Sequence, residues 1–357
     1  MELASHLPEG VEPLAVCPQD AGIALELRDL GVGVEVVPQG AWRKVGGRLT
    51  AIFRQIPKLW RIVGSFRPDV LHANEFHIVP QALSAARKKS PVCGHVRLSI
   101  TSRQIHTYKM AECRRIVCVS EQVRSLFDGT PAAERTRTIP NGVNVAGLEI
   151  PRPPHPEVGA WLREHPVPLV AGLFGLAAER KNQLVAAEAV AIARSRGADV
   201  RLLLAGDAHK SSTAYGERLR ERLAAEDLRG AAIWLPFQDE VGGLYHAIGV
   251  NLLISSEEGF GRTIIEAGAA GRPSIGSRVG GIPELIEDGR TGWLVPEGDA
   301  EALAGRLVEL AADPEVLRTA GRAAREHVRR HFTIEAHTAR MVSLWQEAIE
   351  EFRGARS

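Results

Sequence analysis

Twelve short runs rich in Val, Ile, Leu and Ala punctuate the chain, at 12–17, 33–38, 69–73, 91–96, 115–119, 137–139, 168–173, 200–205, 231–235, 250–254, 273–276 and 292–295. Between most of them lie amphipathic stretches. Segment 46–63 shows the pattern well, with Leu49, Ile52, Phe53, Ile56, Leu59, Trp60 and Val63 recurring at helical spacing. Strand–helix alternation of this kind predicts parallel sheets covered on both faces.

Between the sixth and seventh runs lies Ile150-Pro151-Arg152-Pro153-Pro154-His155-Pro156, whose proline density predicts a linker without regular structure. The expected architecture is α/β: a Rossmann-like domain at 1–150, a second at 160–333, and a closing helix within 334–357 packing back toward the first. The start of the chain breaks the alternation. Glu2 to Leu7 reads as the tail of a helix, with the first run after it, whereas a doubly wound sheet begins with its central strand. Either this segment is an N-terminal extension, or a first strand and its Gly-rich turn are lacking. We expect the second, with a vacant or rearranged central position in the first sheet.

Composition narrows the classes. A length of 357 residues fits two domains, and with 5% aromatic residues the cores must be mostly aliphatic. Basic and acidic residues nearly cancel, 44 against 43, so no global field draws the chain to nucleic acid and no such partner is expected. No apolar run approaches the roughly 20 residues of a membrane span, and Met1-Glu2-Leu3-Ala4 does not open a signal peptide, so a cytoplasmic location is expected. Cys17, Cys93, Cys113 and Cys118 form neither a C-x-x-C pair nor a zinc pattern, and are expected as buried free thiols.

The chemistry concentrates in 255–273. A strand ending near Ile254 leads into Ser255-Ser256-Glu257-Glu258-Gly259-Phe260-Gly261, and a helix follows from about Arg262. Free N–H groups at such a helix start suit an anion, phosphate above all. Gly259 and Gly261 allow close approach of a ligand to the backbone. Glu258 and Glu266 would repel a diphosphate, but they suit paired hydroxyls on a ribose or hexose. The plainer alternative is a solvated loop acid and an exposed helix acid.

This stretch resembles the Glu-x7-Glu signature of retaining glycosyltransferases of family 4, which have the GT-B fold: two Rossmann-like domains facing each other across a cleft. Further resemblances lie in Ile139-Pro140-Asn141-Gly142-Val143-Asn144, Val117-Cys118-Val119-Ser120-Glu121, Gly280-Gly281-Ile282-Pro283-Glu284, Asp288-Gly289-Arg290-Thr291-Gly292 and Pro68-Asp69-Val70-Leu71-His72-Ala73. The resemblance implies that Glu258 contacts hydroxyls of the donor sugar and that Glu266 binds the nucleotide ribose. It further implies that Gly175, Gly259, Phe260, Gly261, Thr263 and Ile264 line the donor, with backbone amides holding sugar and diphosphate, and that Phe237 lies beside the base.

Two positions depart from the family pattern. Lys181 matches the diphosphate lysine, but Leu176 stands where an arginine is usual, and Arg180 is the candidate substitute. Arg97 takes the place of the usual histidine after the fifth strand, with His95 two residues earlier. Both are candidate catalytic residues beside Glu258, although a solvated lysine and a satisfied core histidine are the alternatives for Lys181 and His95. No Asp-x-Asp is present, so neither metal nor other cofactor is expected. From Arg43 to Arg67 there are seven basic residues and no acid, and Trp42 and Trp60 lie nearby. This face suggests a peripheral contact with the anionic inner face of a membrane, against the alternative of a solvated helix face over a core.

The expected partners are therefore a nucleotide-sugar donor and a glycan, lipid-linked or small-molecule acceptor. The competing readings are a nucleotide-sugar epimerase or a phosphorylase on the same fold, and a homologue that binds nucleotide sugar without turning it over.

Overall fold

The computed structural model describes residues 2–38, 50–164, 169–207 and 213–355, with side chains from residue 55 onward in the second of these stretches. The chain divides into two compact units. The first holds residues 1–142 and 334–357, the second residues 143–333.

The second unit contains six strands: β7 (Leu169–Phe174), β8 (Val200–Ala205), β9 (Ala232–Leu235), β10 (Val250–Leu253), β11 (Ser274–Ser277) and β12 (Gly292–Val295). They pair in parallel in the order β12-β11-β10-β7-β8-β9, the doubly wound arrangement of a Rossmann domain. Strand periodicity explains the unbroken apolar runs. Leu169, Ala171 and Leu173 of β7 join Leu202 and Leu204 of β8 in one core, beneath helices Gln183–Ser195 and Ala300–Ala312. Val170 and Phe174 join Leu203 in a second core on the other face, with Val158, Leu244, Tyr245 and Ala267 from helices. Both faces are covered, so these strands are mostly apolar, and the polar side chains they do carry are buried and hydrogen-bonded: Arg201 donates to the Trp161 carbonyl and Asn251 to Ser274 Oγ.

The first unit contains β1 (Leu14–Cys17), β2 (Gly33–Val36), β3 (Leu71–Ala73), β4 (Val92–Val96), β5 (Arg115–Cys118) and β6 (Thr136–Thr138). These fall into two parallel sheets, β1-β2 and β3-β4-β5-β6. Among the described residues no strand joins β1 to β3. Helix Thr50–Phe66 packs on both sheets: Ile56, Leu59 and Ile62 meet Leu14 and Val16 of β1 and Leu71 of β3. The helix runs through Pro57. On the four-stranded sheet, Cys93, Val117 and Ile139 form a core with Met341, Leu344 and Ala348 of helix Ile334–Gly354. All four cysteines are buried and free.

Candidate functional site

The order of the second sheet makes β7 and β10 neighbours while the sequence runs outward from them to opposite sides. A reversal of this kind leaves a crevice outside the carboxyl ends of the two strands, because no connection crosses there. Residues from both strand ends meet at this point. Gly175 follows β7, and its amide donates to the Ala205 carbonyl at 2.8 Å. The next turn carries Arg180 and Lys181. After β10 come Ser255 to Gly261.

The two turns are stapled together. Asn182, in the left-handed region at φ 55°, donates its side-chain amide to the Ile254 carbonyl at 2.9 Å. The Ser256 amide donates to the Arg180 carbonyl at 2.9 Å. This brings Lys181 Nζ within 2.5 Å of Glu258 Oε2, with the two side chains 15% and 13% exposed. Ser255 Oγ reaches the same carboxylate oxygen at 3.4 Å. A third segment locks Glu258 from behind. The Gly281 amide donates to its carbonyl at 3.0 Å, and a Cβ placed on Gly280 would lie 1.9 Å from that oxygen. Glycine is therefore a steric requirement at 280. Arg180 and Leu176 are exposed.

Helix Arg262–Ala269 starts at Gly261, which adopts φ 112° and offers no side-chain cap. Its first turn therefore brings the partial positive charge of the helix start to the Gly-rich turn. Phe260 and Ile264 are core side chains, 4% and 5% exposed, so only their backbones face that turn. The Ile264 amide is already engaged by the Gly261 carbonyl at 3.0 Å. Gly259 is buried, and the Thr263 hydroxyl is buried without a hydrogen-bond partner.

One turn along, Glu266 is held on both oxygens. The Tyr245 hydroxyl donates to Oε2 at 2.7 Å, and Arg262 Nε donates to Oε1 at 3.1 Å. Burial and the Glu266 carboxylate keep the Tyr245 phenol well above its ordinary pKa, so it remains a donor. A carboxylate offers about four acceptor positions. Arg262 Nη2 also lies 3.0 Å from Oε1, so the remaining acceptor capacity of Glu266 is chiefly on Oε2. Phe237 is 63% exposed, and its amide donates to Asp207 Oδ1 at 3.0 Å where β8 and β9 end.

In the first unit, polar residues gather at the carboxyl ends of β3 and β4. Trp345 Nε1 donates to His72 Nδ1 at 3.2 Å, and His72 Nε2 lies 3.3 Å from His95 Nδ1. Burial, with Arg97 and His337 adding to it, lowers the pKa of His72 to about 3, and burial likewise drives His95 far below its usual range. Both imidazoles are neutral. Tryptophan can only donate, so the remaining hydrogen of His72 sits on Nε2 and points to His95. The hydrogen of His95 is thereby placed on Nε2, a buried atom without a partner. His95 is 1% exposed. Arg97 lies beyond β4 and clasps Asn74, donating to its carbonyl at 3.2 Å and its side-chain oxygen at 2.7 Å.

The structure thus brings Lys181, Glu258 and the Gly-rich turn together in one unit, with Glu266 one turn further, and pairs His95 with His72 in the other. No role is read from the sequence for Tyr245, Asn182 or Trp345. Tyr245 lies 21 residues before Glu266 on a different helix, and no spacing announces that pairing. Among the described residues no group of three or more His, Cys, Asp and Glu could hold a metal ion.

Residues 1–146 match the family model described as Glycosyltransferase Family 4, and residues 166–313 match that described as Glycosyl transferases group 1. Two regions of the chain thus each resemble a glycosyltransferase domain.

Among curated relatives, the chain is 35% identical over 158 residues to an N-acetyl-alpha-D-glucosaminyl L-malate synthase of Bacillus anthracis, covering 44% of this chain and 40% of that protein. It is 30% identical over 256 residues to a D-inositol 3-phosphate glycosyltransferase of Saccharomonospora viridis, covering 69% and 58%. The chain thus spans less than two thirds of either relative. Among solved structures, Anabaena HepE in complex with UDP and glucose superposes with a TM-score of 0.81 at 20% identity, covering 96% of this chain and 93% of that one. Sucrose-phosphate synthase of Thermosynechococcus elongatus superposes with a TM-score of 0.71 at 22% identity, covering 96% and 100%. These likenesses establish the fold as GT-B, with two Rossmann-like domains.

The membrane-facing expectation for 43–67 falls partly outside the described residues, since Trp42, Arg43, Lys44, Arg48 and the Arg54 side chain lie there. Of the rest, Lys58 donates to the Val36 carbonyl at 2.6 Å and Trp60 Nε1 to the Ser84 carbonyl at 2.9 Å. Among the described residues no helix is long and apolar enough to cross a membrane.

Proposed function

We propose that the protein transfers a sugar from a nucleotide-diphosphate sugar to a hydroxyl of a glycan, lipid-linked or small-molecule acceptor, with retention at the anomeric carbon and without a metal. The observation that carries this reading is the meeting of Lys181, Glu258 and an uncapped helix start at the switch point of the second sheet.

In the proposed reaction the bond from the anomeric carbon to the diphosphate oxygen breaks and a bond to the acceptor oxygen forms. The acceptor proton passes to the departing diphosphate. Lys181, assisted by Arg180, and the helix start stabilise the negative charge that develops on the diphosphate. Gly259, Phe260, Gly261 and Thr263 donate backbone N–H groups to donor oxygens, with Gly175 and Ile264 shaping the same wall. Glu258 accepts from hydroxyls of the donor sugar and Glu266 from the ribose. Phe237 stacks on the base. His95 and Arg97 serve the acceptor side. HepE, of similar fold, is described with UDP and glucose, which supports trying uridine donors first.

The test is incubation with UDP-, GDP- and ADP-sugars, reading nucleoside diphosphate release and the anomeric configuration of the product by NMR. Transfer or slow hydrolysis with retained configuration is expected. Formation of an isomeric nucleotide sugar, or binding without turnover in the presence of a range of acceptors, would contradict the reading. Replacing Lys181 by Ala is expected to lower turnover by roughly 100-fold, the scale of losing one preorganised charge-stabilising group.

A further inference from the structure

A hollow of about 870 Å³ opens in the first unit, away from His72, His95 and Arg97. It lies where helix Thr50–Phe66 runs out before β3, where helix Val79–Ala86 runs out before β4, and against the end of helix Ile334–Gly354. It therefore sits at the amino ends of β3 and β4, the opposite edge of that sheet from His95 and Arg97. Its volume falls within the range of small-molecule sites.

Its lining is amphipathic. Val63, Ala85 and Ile349 give apolar surface, and Trp60 stands beside them with Arg87 stacked on its ring at 4.5 Å. The charges are one-sided. Arg67, Arg87 and Lys89 line the hollow, and none has a carboxylate partner among the described residues. Its single lining acid, Asp69, is taken by Arg353 at 2.8 Å. This local excess of positive charge stands out in a chain whose net charge is +1.

The backbone fixes where these cations stand. Five non-glycine residues of the described chain have left-handed φ. Three of them, Arg67 at 51°, Arg87 at 47° and Lys88 at 57°, lie in the two segments that form this rim. Glycine is the residue at ease in that conformation. Here each follows the end of a helix, so the two helices stop at the hollow and present their capping cations to it. Guanidinium forks and an ammonium around an apolar floor match a phosphate ester: Arg grips phosphate oxygens in pairs, and Lys adds a point charge.

We propose that this hollow binds a phosphate-bearing amphiphile, its phosphate between Arg67, Arg87 and Lys89 and its carbon skeleton against Trp60, Val63 and Ile349. The phosphate belongs either to a phospholipid headgroup or to a free phosphate ester, and the experiment separates the two.

The full chain is mixed with phosphatidylcholine vesicles doped with phosphatidylglycerol, scored by co-sedimentation, and separately with soluble glycerol 3-phosphate, scored by calorimetry. The variant R87Q/K89Q is compared with R61Q/R103Q, which removes the same charge from exposed positions outside the hollow. Binding by the native chain that weakens about tenfold or more in R87Q/K89Q and little in R61Q/R103Q is expected. Binding of vesicles alone assigns a lipid, and binding of the soluble ester assigns a small molecule. Absence of binding to both probes, or equal loss in both variants, overturns the proposal. Arg87→Gly separates binding from folding. It is expected to lose binding with an unchanged or higher Tm, because glycine suits φ 47°. A lower Tm with binding retained would show that Arg87 only caps its helix, and would overturn the proposal.

Discussion

Tyr245 fixes one oxygen of Glu266, the residue proposed to accept from the ribose. Removing its hydroxyl alone is expected to free the carboxylate without opening a cavity. Tyr245→Phe is predicted to weaken nucleoside diphosphate binding roughly tenfold or more, the worth of a buried hydrogen bond to a charged group. The change should appear in the donor KM far more than in kcat, with calorimetry giving the same ratio. Unchanged affinity in a folded variant would contradict the role given to Glu266. The paired histidines carry a different prediction. In the folded chain His72 and His95 stay neutral, with His72 at about 3. In the unfolded chain their ordinary value is about 6.5. Between these values the unfolded state binds more protons, so stability falls as the pH drops below about 6.5 and is intact above it. His95→Gln is expected to flatten this acid limb in thermal melts across pH. An identical slope in the native chain and the variant would contradict neutral burial.

The elements were the most legible part of the sequence, for a physical reason. Strands buried on both faces favour apolar residues, and most of β1 to β12 are announced by apolar runs displaced by no more than a residue or two at their ends, although β6 reads Thr-Arg-Thr and β2 is partly exposed. The helix carrying Glu266 could be placed because a Gly-rich turn precedes it. Contacts between elements were less legible. Lys181 and Glu258 are 77 positions apart, and their contact depends on two turns stapled by Asn182 and Ser256. Asn182 is intelligible afterwards, since asparagine tolerates the left-handed region that this turn requires. The backbone approach between Gly280 and Glu258 yields a prediction at this scale. Gly280→Ala would force the two loops apart. The expected result is a stability loss of about 1–3 kcal/mol by urea unfolding, with a fall in turnover because Glu258 is displaced. Native stability with native turnover would show that the loop behind Glu258 yields freely.

At the scale of the whole molecule, the chain passes between its units twice, after Gly142 and after Thr333. The second unit holds an uninterrupted Rossmann sheet with the proposed donor residues at its switch point. The first holds two sheets that helix Thr50–Phe66 covers together, with the neutral histidine pair at one edge of the larger sheet and the cationic hollow at the other. The central claim is that the donor is held and activated in the second unit. Its most direct test follows release of nucleoside diphosphate from UDP-, GDP- and ADP-glucose by the native chain and by Glu258→Gln. The account predicts saturable release from one of these donors, and loss of release in the variant while the nucleoside diphosphate alone still binds. Release that proceeds equally in the variant, or none from any donor beside undisturbed nucleotide binding, would contradict it.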